Sequence, residues 1–132
     1  MLSFLVLAAA LNSAPCVDTS PIPVNDCLVA RLKESEVILD RYFQTAKKLI
    51  DKESFGEFTQ AQQSWLKYRD AECGALFDHW SSGTIRVPME LQCRIRLPRF
   101  RTFTIWRDWL TPVERSPPVL PRPELETVIH ER

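Results

Sequence analysis

Four cysteines constrain the fold of this 132-residue chain more than any other feature. They are Cys16, Cys27, Cys73 and Cys93. The sequence contains no CxxC motif and only two histidines, His79 and His130, so a zinc site would lack its usual ligands. We therefore expect disulfides, and no metal or other cofactor. Four cysteines allow three pairings, and the choice depends on the helices that carry them.

The first 14 residues are typical of a signal peptide. Residues 2–11 form an uncharged apolar run that is too short to span a bilayer, and small residues follow it. We expect cleavage near residues 10–14, with the position after Ala10 favoured because a cut four residues later would leave Pro15 first. Pro15 also disfavours lipidation of Cys16. The segment predicts a periplasmic or secreted protein, whose cysteines would meet an oxidising compartment.

Apolar residues recur at helical spacing in three segments. The stripes are Leu28, Leu32, Leu39, Phe43, Ala46 and Ile50, then Phe55, Phe58, Trp65, Leu76 and Trp80, and finally Met89, Cys93, Leu97 and Phe100. Asn25 or Asp26 could cap the first helix. The turn at 81–84 ends the second helix, and Pro88 falls in the first turn of the third. The pattern predicts an all-α fold, a small disulfide-stapled antiparallel three-helix bundle.

The predicted helices bring two cysteines to the same height. Cys73 lies seven residues before the end of the second helix, and Cys93 lies about five residues after the start of the third. In an antiparallel hairpin the two are level, so a Cys73–Cys93 bridge is the favoured pairing. Cys27 points off the first stripe, which suits a bridge to Cys16 on the incoming segment. A bridge from Cys27 to the third helix is the alternative.

The charge pattern disfavours two classes of partner. The 17 Lys and Arg balance the 17 Asp and Glu, so no overall field attracts nucleic acid or an anionic membrane. Residues 26–78 carry 8 basic and 10 acidic side chains, whereas residues 86–108 carry 6 Arg against Glu90 and Asp108. We expect no nucleic-acid partner and no stable membrane span, but an arginine-rich surface on the third helix.

The sequence contains no combination of residues that indicates an active site. Asp78, His79 and Ser81 are the residue types of a catalytic triad. Neighbours on a helix point in different directions, however, and a triad is a spatial arrangement. We therefore predict a protein that is not an enzyme.

The densest motif is AQQSWLKYRDAEC at residues 61–73. With the Ser/Gly turn after it, the cysteine at 93 and an Arg-Thr pair at 101–102, it resembles the LprI-like lysozyme-inhibitor domain family over residues 16–110. The matching positions are Gln62, Trp65, Tyr68, Arg69, Asp70, Ala71 and Cys73, with Glu36, Leu39, Asp40 and Phe43 resembling a weaker pattern in the first helix. Pro98 departs from the family, standing where a Thr is expected. The resemblance implies an exported bacterial helical domain with disulfides and a function in lysozyme inhibition.

Arg69 lies in the middle of the apolar face of the second helix. At about 100° per residue it shares an arc with Trp65 and Cys73. A guanidinium in that position must be paired, because an unpaired buried charge costs several kcal/mol. Glu72 on the same helix and Glu36 on the first helix can each supply a carboxylate. We predict an ion pair of Arg69 with Glu36 or Glu72 inside the bundle.

Several other conspicuous side chains are candidates for contact with a partner. Trp65 and Trp80 are expected in the core because they lie on the second stripe. The candidates off the stripes or in the turn are Tyr68, Asp70, Ser82, Gly83, Arg86, Arg94, Arg101, Trp106 and Trp109. Exposed tryptophans beside arginines can contact a protein or an anionic glycan. The plainer alternative is that the arginines are solvated and the tail covers the indoles.

The helical domain is expected to span residues 15–110 and to be followed by a proline-rich tail, residues 111–132. Five of the first thirteen tail residues are prolines, which should stop the third helix near Leu110. Extended or disordered chain is expected beyond it, serving as a spacer or as a lid over Trp106 and Trp109. Within the helix, a mid-helix proline at position 98 predicts a kink or a restart.

Two functions follow from these observations. The first is an exported, non-enzymatic binding protein that inhibits lysozyme-type glycan hydrolases, blocking the glycan cleft with the turn at residues 81–86 or with the arginines of the third helix. The alternative is a periplasmic or cell-envelope interaction module, with some other protein or glycan as its partner and no lysozyme inhibition.

Overall fold

The computed structural model describes residues 16, 23–114 and 116–125, and the predicted signal peptide lies outside these residues. Three α-helices follow one another: α1 (Val24–Leu49), α2 (Phe55–His79) and α3 (Arg86–Ile105). A π-helical turn, Trp106–Leu110, continues α3, and the described residues contain no strand. The prediction of an all-α helical bundle is confirmed.

The third helix is the central element of the bundle. The chain reverses direction at each connection, so α2 runs antiparallel to both α1 and α3. α3 packs along both other helices, whereas α1 and α2 have little direct contact. Ser35 of α1 donates a hydrogen bond to the carbonyl of Ile95 in α3 (2.9 Å), and the Cys73–Cys93 disulfide joins α2 to α3. The two faces of α3 are therefore covered by different partners.

The hydrophobic core lies at the end of the bundle that contains the α1–α2 connection. Its buried members are Leu39, Tyr42, Ala46, Phe58, Ile105 and Leu110. Phe43 stacks on Phe58 with ring centroids 5.2 Å apart, which joins α1 to α2 at this end. Asp51 in the connection accepts the backbone N–H of Ser54 (2.8 Å), and this hydrogen bond lowers the pKa of the Asp51 carboxyl.

The buried face of α1 is rotated from the face that apolar spacing predicts. Arg31, Ser35 and Tyr42 are buried, whereas Leu32 and Phe43 are only half-buried. The reason is that α1 packs chiefly against one helix, so the stripe that faces α3 is narrow. The Tyr42 hydroxyl donates to the carbonyl of Pro121 (2.6 Å), which offsets the cost of burying it.

The start of α1 differs from the sequence expectation. Neither Asn25 nor Asp26 caps the helix, which begins at Val24 with Pro23 in the cap position and no side-chain cap. The backbone N–H of Cys27 donates to the Pro23 carbonyl (3.1 Å). The fixed φ of proline prepares the helical start, so a side-chain cap is not needed to define it.

Two disulfides are formed. Cys73 and Cys93 are fully buried, with their Cα atoms 5.5 Å apart, and this is the pairing that the height argument favoured. Cys16 is bonded to Cys27 with a Cα–Cα distance of 5.8 Å, so the alternative bridge from Cys27 to α3 is not made. Both distances lie within the usual range for disulfides.

Pro98 does not interrupt α3. The helix runs without a break from Arg86 to Ile105, so the expected restart near residues 93–97 is absent. Pro98 is buried, and its carbonyl accepts the Thr102 hydroxyl (2.8 Å). Packing on both sides of α3 stabilises helical geometry that an isolated helix with an interior proline would lose.

The described part of the tail folds back on the bundle. The Val119 N–H donates to the Leu110 carbonyl (3.2 Å), and the Trp106 indole N–H donates to the Leu120 carbonyl (2.9 Å). Together with the hydrogen bond from Tyr42 to Pro121, these contacts hold residues 119–121 against the bundle, with Leu120 beside Trp106. Trp109 instead lies against Phe58, with ring centroids 4.9 Å apart. The helical path ends at Leu110, where the proline content predicts that it should.

Removing the buried disulfide tests how α2 is held. The Cys73→Ala/Cys93→Ala variant should lose about 3 kcal/mol of unfolding free energy, because a cross-link across 20 residues restricts the unfolded chain. Urea titration of both proteins measures this difference. The Cys16→Ala/Cys27→Ala variant is the control. It should lose less, because its bridge closes a shorter loop of 11 residues; an equal or larger loss would contradict this assignment.

Candidate functional site

The charged residues of the 61–73 motif form a network across all three helices. Arg69 lies 3.8 Å from Glu36 of α1 and 3.0 Å from Asp70. Asp70 is also paired with Arg94 of α3 at 2.9 Å, and Arg94 is paired with Glu90 at 3.0 Å. One carboxylate, that of Asp70, thus accepts hydrogen bonds from arginines of two helices.

The environment of Arg69 explains why it can lie on an inward face. Only 17% of its side chain is exposed, and its guanidinium lies 5.7 Å from the centroid of the Trp65 ring. Of the two predicted partners, Glu36 is in range, whereas Glu72 makes no ion pair within the described part of the chain. The shorter contact is to Asp70, a residue that the helical projection placed outside the apolar arc.

The arginines lower the pKa of Asp70. Hydrogen bonds from Arg94 and then from Arg69 favour its charged form, so the pKa of this carboxyl lies below its usual value. The side chain remains 56% exposed, so solvent screens much of this interaction. Asp70 therefore acts as a polar link between α2 and α3 whose energetic value is modest.

A second polar contact joins the same two helices. The Arg101 Nε donates to the Oε1 of Gln62 at 2.9 Å, and Gln62 is buried. Burial lowers the pKa of Arg101, while the charge of Asp108 opposes that shift. Gln62, Asp70 and Cys73 are thus three motif positions that attach α2 to α3.

The structure separates the predicted partner-binding residues into two groups. The first group is engaged within the molecule: Asp70, Arg94 and Arg101 in contacts between helices, and Trp106 beneath the tail. The second group is more accessible and consists of Tyr68 (53% exposed), Trp109 (41% exposed), Ser82, Gly83 and the partly buried Arg86. Ser82 and Gly83 lie in the connection between α2 and α3, and Arg86 is the first residue of α3 after it.

This connection and the first two residues of α3, together residues 80–87, are named the hairpin tip here. Its exposed apolar side chains are Trp80 (37%), Ile85 (47%) and Val87 (38%). The expectation of a core position for Trp80 is therefore not met; its indole instead makes an edge contact with His79. The tip lies at the end of the bundle opposite the hydrophobic core, where the buried Cys73–Cys93 bridge supports it.

Arg86 is the charged residue of the hairpin tip. Its guanidinium carbon lies 3.6 Å from the centroid of the Phe77 ring, and Nη1 lies 3.4 Å from the Ser81 carbonyl oxygen. Arg86 is also the first residue of α3, whose first turn contains no acidic residue. The tip therefore combines apolar surface with positive charge.

Sequence reasoning selected Ser82, Gly83 and Arg86 but missed the apolar residues beside them. Trp80, Ile85 and Val87 look like ordinary core residues in a helical pattern. Their position in the sequence could have indicated their exposure, because a short connection at the end of a helical hairpin has too few neighbours to bury three large side chains.

The described residues contain no candidate metal site and no candidate membrane span. Within residues 23–114 and 116–125, together with Cys16, no group of His, Cys, Asp and Glu is arranged to hold a metal ion. In the same part of the chain, none of the helices combines the length and hydropathy needed to cross a bilayer.

Comparison with known protein families places most of this chain in a described family. The family model described as lysozyme inhibitor LprI matches residues 16–104, about two thirds of the chain. No curated protein and no solved structure matches. The matched region contains both disulfides, all of α2 and the hairpin tip.

Replacing Arg69 tests its structural role. Arg69→Met should lower the unfolding free energy by about 1–2 kcal/mol, because Glu36 and Asp70 lose a cation and Trp65 loses its cation–π partner. Chemical denaturation measures the change. Lys67→Met is the matched control, since Lys67 is exposed on the same helix. Equal stability of Arg69→Met and wild type would refute the assignment.

Replacing Asp70 tests the electrostatic link. Its pKa is lower in the folded state, so the carboxylate stabilises the fold above about pH 4, and this contribution is lost as the pH falls through the folded-state pKa. Asp70→Asn should cost at most about 1 kcal/mol at pH 6 and almost nothing near pH 2. Urea unfolding at both pH values measures this, with Asp78→Asn as the exposed control on α2. A cost that is independent of pH would contradict the link.

Proposed function

We propose that this chain, which belongs to the LprI lysozyme inhibitor family, is an extracytoplasmic, non-enzymatic binding protein that inhibits lysozyme-type glycan hydrolases. The observation that carries this proposal is the family match over residues 16–104. The two disulfides support the location, because such bonds persist in oxidising compartments.

The structure favours one of the two surfaces considered for inhibition. Arg94 and Arg101 are engaged with Asp70 and Gln62, so using them against a partner would break contacts that attach α2 to α3. Binding through the hairpin tip would break none of these contacts between α2 and α3. It carries exposed apolar side chains on a connection that a buried disulfide supports, and rigid protruding loops lose little entropy on binding.

Electrostatics are consistent with a contact confined to the enzyme's cleft. The chain has equal numbers of acidic and basic side chains, so no general attraction to a basic animal-type lysozyme is expected. A positively charged tip would be repelled by most of a basic enzyme surface. The exception is the catalytic cleft, where glycosidases place a pair of carboxyl groups.

A direct inhibition assay tests the proposal. The oxidised mature chain is titrated into lysozyme while lysis of bacterial cell walls is followed by turbidity. We expect a concentration-dependent loss of lysis that saturates, because a bound inhibitor excludes the glycan. The same chain with both disulfides reduced is the control, and it should inhibit less because the tip has lost its support.

Binding measured by calorimetry separates the two candidate functions. Inhibition and binding at micromolar concentrations would support the lysozyme proposal. No inhibition and no binding at tens of micromolar would contradict it and favour an envelope interaction module with another partner.

A further inference from the structure

The hairpin tip presents a cation that no carboxylate neutralises within the described residues. Arg86 forms no ion pair there, whereas Arg94 of the same helix pairs with Asp70 and Glu90. Its Nε is enclosed without a hydrogen-bond partner, and its Nη1 makes only the long contact with the Ser81 carbonyl. The Phe77 ring packs beneath the guanidinium, with its centroid 3.6 Å from the Arg86 Cζ atom. This contact orients the guanidinium without neutralising its charge.

The start of α3 adds to this positive character. The first turn of α3 contains no acidic side chain, and no side chain caps it, so the partial positive charge of the helix start is uncompensated. Trp80, Ile85 and Val87 place apolar surface around the same point. The complement of such a surface is a concave site with apolar walls and a buried carboxylate.

We propose that the hairpin tip enters the catalytic cleft of a lysozyme-type glycosidase and that Arg86 pairs there with one of the two catalytic carboxyl groups. This inference rests on the proposed function and adds the contact that produces inhibition. A guanidinium suits the task because its fork matches a carboxylate and because it is weakly hydrated. Stacking on Phe77 has already removed part of its hydration, so entering the cleft costs less.

The exposed indole of Trp80 completes the fit. A glycan cleft is shaped to accept the faces of sugar rings, and a flat aromatic side chain can occupy such a position. The buried disulfide between Cys73 and Cys93 fixes the two helices that carry Trp80 and Arg86, so both groups are presented in a defined orientation.

Charge substitution at the tip tests the assignment. Inhibition constants are measured in the cell-wall assay for Arg86→Gln, Arg86→Lys and the matched control Arg96→Gln. Arg96 lies on the same helix and joins no ion pair in the described part of the chain. We expect Arg86→Gln to weaken inhibition tenfold or more, Arg86→Lys to retain part of it, and Arg96→Gln to change it less than threefold.

Two further measurements distinguish a cleft contact from a structural effect. Arg86→Met keeps apolar contact with Phe77, so it should unfold at nearly the wild-type temperature while inhibiting as poorly as Arg86→Gln. A trimer of N-acetylglucosamine, a probe for the cleft, should compete with the wild-type chain for lysozyme.

The outcomes separate this inference from the proposed function. Equal inhibition by wild type and Arg86→Met, or no competition with the sugar trimer, would overturn the role of Arg86 in the cleft while leaving lysozyme inhibition intact. Absence of inhibition by the wild-type chain would overturn the proposed function, and the role of Arg86 with it.

Discussion

The position of α2 depends on the disulfide between Cys73 and Cys93. Among its 25 residues, α2 buries only Phe58, Gln62 and Cys73. Phe58 belongs to the hydrophobic core at one end of the bundle, and no comparable apolar cluster forms around the other end of the helix in the described residues. A covalent bond between two fully buried sulfurs replaces the missing apolar contacts. Its contribution, about 3 kcal/mol for a separation of 20 residues, exceeds that of any single ion pair here.

Polar contacts between Phe58 and the disulfide determine how α2 lies on α3. Gln62 meets Arg101, and seven to eight residues later Asp70 meets Arg94, so the two contacts follow the antiparallel path of the helices. Each contact is partly exposed and therefore adds little to the free energy of unfolding. Their directionality, however, disfavours sliding of one helix by a turn, because sliding would leave the buried Gln62 without its partner Arg101. The disulfide thus holds the helices together, and the polar pairs define their register.

Much of this architecture could be predicted from the sequence because it depends on periodicity. Apolar spacing predicted three helices, and the heights of Cys73 and Cys93 along them favoured the observed bridge. The polar partners were harder to predict because a helical projection treats side chains as points on a circle. Successive side chains leave a helix in directions about 100° apart, but the Arg69 side chain is long enough to reach Asp70, its neighbour in sequence.

The remaining differences come from the assumption that three helices share their contacts equally. Because α3 is central, Arg94 and Arg101 meet α2 where a symmetric bundle would leave them in solvent. The same asymmetry leaves the end of α2 with few neighbours, which exposes Trp80. Proline content predicted the end of helical structure but not the docking of the tail. That docking depends on donors of the folded bundle, the Tyr42 hydroxyl and the Trp106 indole, which find acceptors in the tail.

The 61–73 motif and the hairpin tip should differ in how well they tolerate substitution. Residues 61–73 attach α2 to the rest of the molecule, so most substitutions there would alter the scaffold before they altered binding. The hairpin tip contributes little to the core, and its side chains can change without disturbing the register set by Gln62 and Asp70. Recognition residues on a loop supported by a rigid scaffold are free to vary in this way. If the hairpin tip binds the partner, as proposed, the motif identifies the scaffold and the charge and shape of residues 80–87 determine the partner.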